Sequence, residues 1–276
     1  VGVAGTDDSY APSISGDGRY VAFESIATNL LGVGNDNNGF SDVFVHDRQM
    51  GTTTRVSVDS AGAEGILGDS SSCSISGAGR YVAFVSAATN LVAGDGNGFT
   101  DVFVHDRDVD GNGIYDEAGW ISTIRVSVDS AGAEGNNNSN FPSISGDGRY
   151  VAFESDADNL LGVGNDNNGS TDVFVHDLQT GETTRVSVDL AGAEDIGNSN
   201  NPSISADGSS VTFQSDADDL VPGDTLGFPD IFVDDLQTGA GEEEGGGDRN
   251  SGSGCFIATA ADGRQARGRG ETARRR

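Results

Sequence analysis

Lysine is absent from this chain. All 15 basic residues are arginine, set against 44 acids for a net charge of −29. A body so short of positive charge repels nucleic acid and anionic membranes, so neither is an expected partner. It suits a calcium-rich or salty exterior, where cations screen the self-repulsion. Cysteine is nearly absent as well, and the two residues, Cys73 and Cys255, are too few for a disulfide framework. No stretch approaches the ~18–20 consecutive apolar residues that cross a bilayer, which leaves no transmembrane segment to expect. Clustered metal-binding histidines, a G-x-S-x-G elbow and phosphate-cradling glycine loops are missing, and with them the usual signatures of several enzyme classes. No signal peptide is visible, but the chain opens on Val1 and not Met, which fits a mature form or a fragment.

What is present points to an ordered core. Apolar residues make up 35% and aromatic residues 7% of the 276 positions, enough to separate this chain from disordered acidic tails. The length allows one or two domains. Charge is unevenly placed. Residues 1–248 hold 8 Arg against 42 acids, and residues 249–276 hold 7 Arg against 2 acids.

The body is a fourfold repeat. P-S-I-S-G-D-G-R-Y-V-A-F-E-S begins at Pro12 and recurs at Pro142. S-C-S-I-S-G-A-G-R-Y-V-A-F-V-S begins at Ser72, and P-S-I-S-A-D-G-S-S-V-T-F-Q-S at Pro202. The matching isoleucines, Ile14, Ile75, Ile144 and Ile204, lie 61, 69 and 60 residues apart, so the second unit carries an insertion. Cys73 stands where the other units have Pro12, Pro142 and Pro202, a position for a small packed residue.

Each unit contains the same pieces. A short S-I-S segment precedes a G-D-G turn, and the Y-V-A-F-E-S run from Tyr20 alternates with period two, the signature of a strand. A polar Asn/Gly loop leads to D-V-F-V-H-D (Asp42 to Asp47), and a short turn leads to T-T-R-V-S-V-D (Thr53 to Asp59), with Val56 and Val58 on one face. Four antiparallel strands per unit, repeated in tandem with no helical periodicity, predict an all-β β-propeller with one blade per unit. Ring closure would cover the blade faces that an isolated sheet leaves bare.

These repeats resemble those of TolB-type, WD-repeat-like β-propellers, found especially in bacterial secreted proteins. The resemblance covers about residues 10–238, with blades near 10–60, 71–130, 140–190 and 200–238. It implies a propeller fold, and that fold hosts binding modules and enzyme accessory domains alike. Two readings of blade number stay open. One is a compact four-bladed ring in which Val1 to Val3 complete the last blade. The other is part of a larger ring.

The insertion supplies the main metal candidate. From Asp108 it reads D-V-D-G-N-G-I-Y-D, with oxygen side chains at Asp108, Asp110 and Asn112 and a turn glycine at Gly113. The Ile114 carbonyl and Asp116 follow at the spacing of a Ca²⁺ loop, and this loop resembles those of secreted bacterial modules. Position 12 is Gly119, so the bidentate Glu of an EF-hand is absent and Glu117 is its nearest substitute. The expected affinity is weak, on the order of 10⁻⁴–10⁻³ M. The alternative is a hairpin whose Asp and Asn side chains bond their own backbone. A thinner D-x-N-G-x-x-D pattern recurs at Asp36, Asn38, Asp42, at Asp95, Asn97, Asp101, and at Asp166, Asn168, Asp172, and the fourth unit has lost its Asn. It reads either as one ion per blade or as an Asn-Gly turn capping a strand.

His46, His105 and His176 occupy one repeat position, so they read as repeat structure and not as a singular catalytic base. The recurring Arg19, Arg80, Arg149 and Arg55, Arg125, Arg185 read as ion partners for the many aspartates. Residues 239–254 form an acidic Gly-rich linker. The segment from Cys255, C-F-I-A-T-A-A-D-G, resembles the CFI-box of some exported bacterial proteins, with Asp262 in place of its aromatic. That resemblance implies a surface- or export-related tail over 255–276, with Cys255 as the processing or attachment residue.

The expectation is an exported, non-catalytic β-propeller, calcium-stabilised in its loops, that binds a protein or carbohydrate ligand outside the cell. The alternatives are a propeller enzyme or accessory domain acting on polysaccharide or peptide, and a periplasmic TolB-like interaction module.

Overall fold

The computed structural model describes residues 4–222, 224 and 228–236. Fifteen strands form four antiparallel sheets. Blade 1 holds β1 (Ser9–Ile14), β2 (Tyr20–Ser25), β3 (Asp42–Asp47) and β4 (Thr52–Arg55). Blade 2 holds β5 (Ser70–Ile75), β6 (Tyr81–Ser86), β7 (Asp101–Asp106) and β8 (Ser122–Arg125). Blade 3 holds β9 (Ser139–Ile144), β10 (Tyr150–Ser155), β11 (Asp172–Asp177) and β12 (Thr183–Arg185). Blade 4 holds β13 (Ser199–Ile204), β14 (Ser210–Ser215) and β15 (Asp230–Asp235), and its fourth strand is not among the described residues. The meander order within each sheet is that of propeller blades. The completion of blade 4 by Val1 to Val3, the linker and the tail with Cys255 all lie outside the described residues.

Local chemistry explains the meander. The Ser15 hydroxyl bonds Asp17 and accepts from the Tyr20 amide, and Gly18 takes the φ of 72° that closes the first turn. The two central strands then pair residue for residue, Tyr20 with Asp47 through Ser25 with Asp42, and this register recurs in every blade. The outermost strand is shorter than its sequence pattern suggests. It ends at Arg55, where the amides of Val56 and Ser57 both turn onto the Val43 carbonyl. Val56 and Val58 are still buried. A bulge interrupts every first strand, at Ala11, Ser72, Phe141 and Asn201, each non-glycine with φ near 50°.

The core lies between blades. Tyr20, Ala22, Val43 and Val45 of blade 1 pack on Ile75, Val82, Phe84 and Phe103 of blade 2, and the next two junctions repeat the arrangement. An inner blade is therefore buried on both faces, which is why β6 and β10 lose the polar/apolar alternation of a one-sided sheet. The first strands pack in series, β1 on β5, β5 on β9 and β9 on β13. The four blades thus stand side by side in chain order. Ile14 of β1 is 58% exposed, whereas Ile75 is 6% exposed and Ile144 7%.

Candidate functional site

Two kinds of acidic site stand on this scaffold: a charge cluster repeated in blades 1 to 3, and the single insertion in blade 2. In the repeated cluster the D-x-N-G-x-x-D aspartates meet a glutamate from the loop that follows the outer strand. The oxygens of Asp36, Asp42 and Glu64 lie within 4.8 Å of one another. Arg55 reaches in from β4, its Nη1 2.7 Å from Glu64, 2.9 Å from Asp42 and 3.4 Å from Asp36. Arg125 does the same among Asp95, Asp101 and Glu134, and Arg185 among Asp166, Asp172 and Glu194. A guanidinium therefore stands where the cation of a one-ion-per-blade reading would sit. The asparagine builds the turn. Asn38 Nδ2 donates to Asp42 and to the Gly65 carbonyl, and its Oδ1 accepts from the Phe40 amide.

Three carboxylates share one arginine in each cluster. Desolvation raises the pKa of Asp36, Asp95 and Asp101 above the ordinary carboxylate range. Blade 3 carries a fourth acid. Asp195 stands where the other blades have Gly65 and Gly135, and it is fully buried. Its Oδ2 accepts from the Ser199 hydroxyl at 2.7 Å. Burial, and then the neighbouring Asp172, push the carboxyls of Asp166 and Asp195 up to about 7. Glu64, Glu134, Glu194 and Asp195 escape a motif search because they sit outside the D-x-N-G-x-x-D window. The recurring A-E-G or A-E-D at the next loop was their only signal.

The insertion closes on itself and docks on blade 1. Asp108 is buried and accepts from the amides of Asn112 and Gly113, 3.0 Å each, so the loop wraps around its carboxylate. The Asn112 side chain donates from Nδ2 to Asp110 at 3.0 Å and to Glu117 at 2.7 Å. The Ile114 amide bonds Asn112 Oδ1. Asp108, Asp110, Asn112 and Glu117 thus gather on one loop. Asp116 is instead gripped by Arg107, through contacts of 2.6 and 2.8 Å. The buried Arg107 also donates to the Gly79 carbonyl and lies over the rings of both Tyr20 and Tyr115. Tyr115 packs on Tyr20 with centroids 5.3 Å apart. Among the described residues, no arginine pairs with Asp108, Asp110 or Glu117.

The remaining titratable repeats are bonded within the blades. His46, His105 and His176 each hold Nδ1 2.9 Å from the hydroxyl of Thr53, Thr123 or Thr183. The hydroxyls of Thr123 and Thr183 donate onward to carbonyls of the preceding blade, Val58 and Val128, so His105 and His176 donate through Nδ1. Burial lowers the His105 pKa to about 4. Arg19, Arg80 and Arg149 chelate Asp47, Asp106 and Asp177, and the bond from Arg19 lowers Asp47 to about 2. Cys73 is packed against blade 1, where its thiol faces the Ala11 carbonyl at 3.4 Å and burial pushes its pKa to about 12.

Fold and clusters together define a tandem propeller-blade protein whose repeated acid clusters each hold one arginine. No protein-family model matches the sequence, and no curated protein matches it. Similar solved structures include TolB from Acinetobacter baumannii, at 16% identity and a TM-score of 0.46, covering 84% of this chain and 42% of that one. A puromycin-hydrolyzing peptidase from Mycobacterium tuberculosis shares 13% identity with a TM-score of 0.48, covering 86% of this chain and 29% of that one. Oligogalacturonate lyase from Vibrio parahaemolyticus shares 15% identity with a TM-score of 0.43, covering 82% of this chain and 49% of that one. This chain therefore spans less than half the length of each.

Proposed function

We propose that the chain is an exported, non-catalytic propeller module that binds a protein or carbohydrate ligand on its loop rim, with Ca²⁺ in the blade 2 insertion. The supporting observation is the wrapping of residues 108–117 around Asp108, which gathers Asp110, Asn112 and Glu117 with no salt bridge to an arginine among the described residues. Such an all-oxygen set suits a hard cation. Ca²⁺ there would neutralise the loop that braces blade 2 against blade 1. The repeated clusters support a structural role for the other acids, because each carries its own guanidinium. The histidines support the non-catalytic reading in the same way, since each recurs at one repeat position bonded to a threonine.

The test is a thermal melt in chelator, in 10 mM Ca²⁺ and in 10 mM Mg²⁺. With a dissociation constant near 10⁻⁴–10⁻³ M, ligand linkage stabilises the fold by about 1.4–2.7 kcal/mol. That is a rise of roughly 3–10 °C for a domain of this size. Asp110→Asn with Glu117→Gln removes the rise and leaves the melt in chelator nearly unchanged, whereas Asp108→Ala would also release the amides of Asn112 and Gly113. An equal response of wild type and double variant to Ca²⁺ would remove the ion from this loop.

A further inference from the structure

Two neighbouring blade junctions treat the same tyrosine differently. Between blades 1 and 2 the insertion covers Tyr20. Tyr115 packs on its ring, Arg107 lies over it, and Tyr20 is left 6% exposed. The Tyr115 hydroxyl anchors on the Ala78 carbonyl at 3.1 Å, and Arg107 on the Gly79 carbonyl at 2.7 Å. Between blades 2 and 3 the equivalent residue is Tyr81, and the connection that would cover it is only the short turn from Leu178 to Gly181. Tyr81 stays half-buried.

A groove of about 520 Å³ lies beside Tyr81, a volume ordinary for a ligand site. Its sides are Val109 and Ile124, both half-exposed, and the turn from Asp147 to Arg149. The space that remains beside Tyr20, about 480 Å³, has Thr52 and Thr54 at the positions of Ser122 and Ile124. The groove at Tyr81 is thus the more apolar of the two along its outer strand.

Two replacements also make it more negative. Leu178 stands at the Arg107 position, and Asp147 at the Ala78 position. The nearby arginines are engaged, Arg80 with Asp106 and Arg149 with Asp177. The Asp147 carboxylate accepts from the Ser145 hydroxyl and the Arg149 amide, and it has no salt bridge among the described residues. Burial raises the Tyr81 pKa, and Asp106, Asp108 and Asp147 raise it further against Arg80 alone. At Tyr20 two arginines, Arg19 and Arg107, oppose Asp47. A groove lined by one sign of charge draws the opposite sign.

We infer that the groove between blades 2 and 3 binds a partner protein through an extended peptide segment that carries an aromatic side chain beside a basic one. The aromatic ring takes on Tyr81 the place that Tyr115 takes on Tyr20, with its hydroxyl on the Asp147 carbonyl. The basic group supplies the charge that Leu178 lacks and meets the Asp147 carboxylate. Val109 and Ile124 receive an apolar neighbour. The occupant is a peptide because this chain already covers the equivalent tyrosine with a tyrosine and an arginine of its own. The inference rests on the reading of the chain as a binding module and names the chemistry of its ligand.

The probe is acetyl-Gly-Ile-Tyr-Arg-Gly-amide, titrated into the full chain with Trp120 fluorescence as the readout. Trp120 is the only tryptophan, is 50% exposed, and takes the Val109 amide on its carbonyl at the groove edge. Saturable binding is expected, weakened roughly tenfold or more when the peptide's tyrosine becomes alanine or its arginine becomes glutamate. Ile124→Thr, which copies Thr54, and Asp147→Asn each weaken it severalfold. Both keep the melting profile, because Ile124 is exposed and asparagine retains an oxygen for Ser145 and Arg149. No saturable response, or one that neither variant moves, overturns the inference. Binding of a neutral oligosaccharide such as maltoheptaose, with none of the peptide, overturns it as well and leaves the binding-module reading standing. Cleavage of the peptide, seen by mass spectrometry and slowed by both variants, supports the groove and overturns the non-catalytic reading instead.

Discussion

Asp195→Asn tests whether the blade 3 cluster is as short of positive charge as its geometry implies. Asp195 is fully buried beside Asp172, itself fully buried, and Arg185 already serves Asp166, Asp172 and Glu194. The carboxyls of Asp166 and Asp195 are raised from 3.8 to about 7, by burial first and Asp172 next. The folded state therefore holds a proton that the unfolded chain releases. Stability from this source is fully present below the unfolded value near 4 and is lost as pH rises through the folded value near 7. One pKa unit corresponds to about 1.4 kcal/mol. Because Asp166 and Asp195 both interact with the same neighbour, Asp172, their losses are not independent, so about 2–4 kcal/mol disappears between pH 4 and pH 8. Asparagine has no charge to desolvate and keeps an oxygen for the Ser199 hydroxyl. The variant should match wild type near pH 4 and exceed it by about 2–3 kcal/mol at pH 8, a gain of roughly 4–12 °C. Calorimetric melts at half-unit steps across this window provide the measurement. Parallel curves, with a constant offset at every pH, would show that Asp195 ionises without penalty and would refute the argument.

Two further outcomes follow from the same clusters. Arg125→Met strips the guanidinium from Asp95, Asp101 and Glu134 and should cost about 3–5 kcal/mol at pH 7. Urea titration should show that loss shrinking as pH falls, because Asp95 and Asp101 have raised pKa values and take up protons first. His105 works in the opposite direction: burial holds it neutral with a pKa of about 4, so its share of stability is present above the unfolded value near 6.5 and is lost as pH drops toward 4. His105→Gln should flatten that acid limb relative to wild type, as read by melts from pH 7 to pH 4.

Much of this protein was legible in its sequence. The period-two runs at Tyr20, Tyr81, Tyr150 and Ser210 became central strands as expected, and the fourfold spacing became four blades. These features are local: β-propensity, alternation and the glycine turns lie within six or seven residues of one another. The insertion was visible too, as the one segment without counterparts. What the repeat could not reveal was what each motif residue touches. Asp36, Asp42 and their equivalents read either as ion ligands or as turn residues, because Arg55 and Glu64 lie outside the motif and only pairing of β3 with β4 brings them into one cluster. Asp116 fits the spacing of a ligand, yet Arg107, set over the packed rings of Tyr20 and Tyr115, takes its carboxylate. Asp195 differs from a glycine by one letter, and burial between loops turns that letter into an acid with a raised pKa. The different fates of Ile14 and Ile75 were likewise beyond reach, since the two have matching sequence surroundings and only Ile75 lies in a core between blades among the described residues. Sequence determined the blade, because the forces that shape it act between near neighbours. Tertiary structure decided which acids are neutralised and which faces stay bare, because burial and charge pairing depend on residues far apart along the chain.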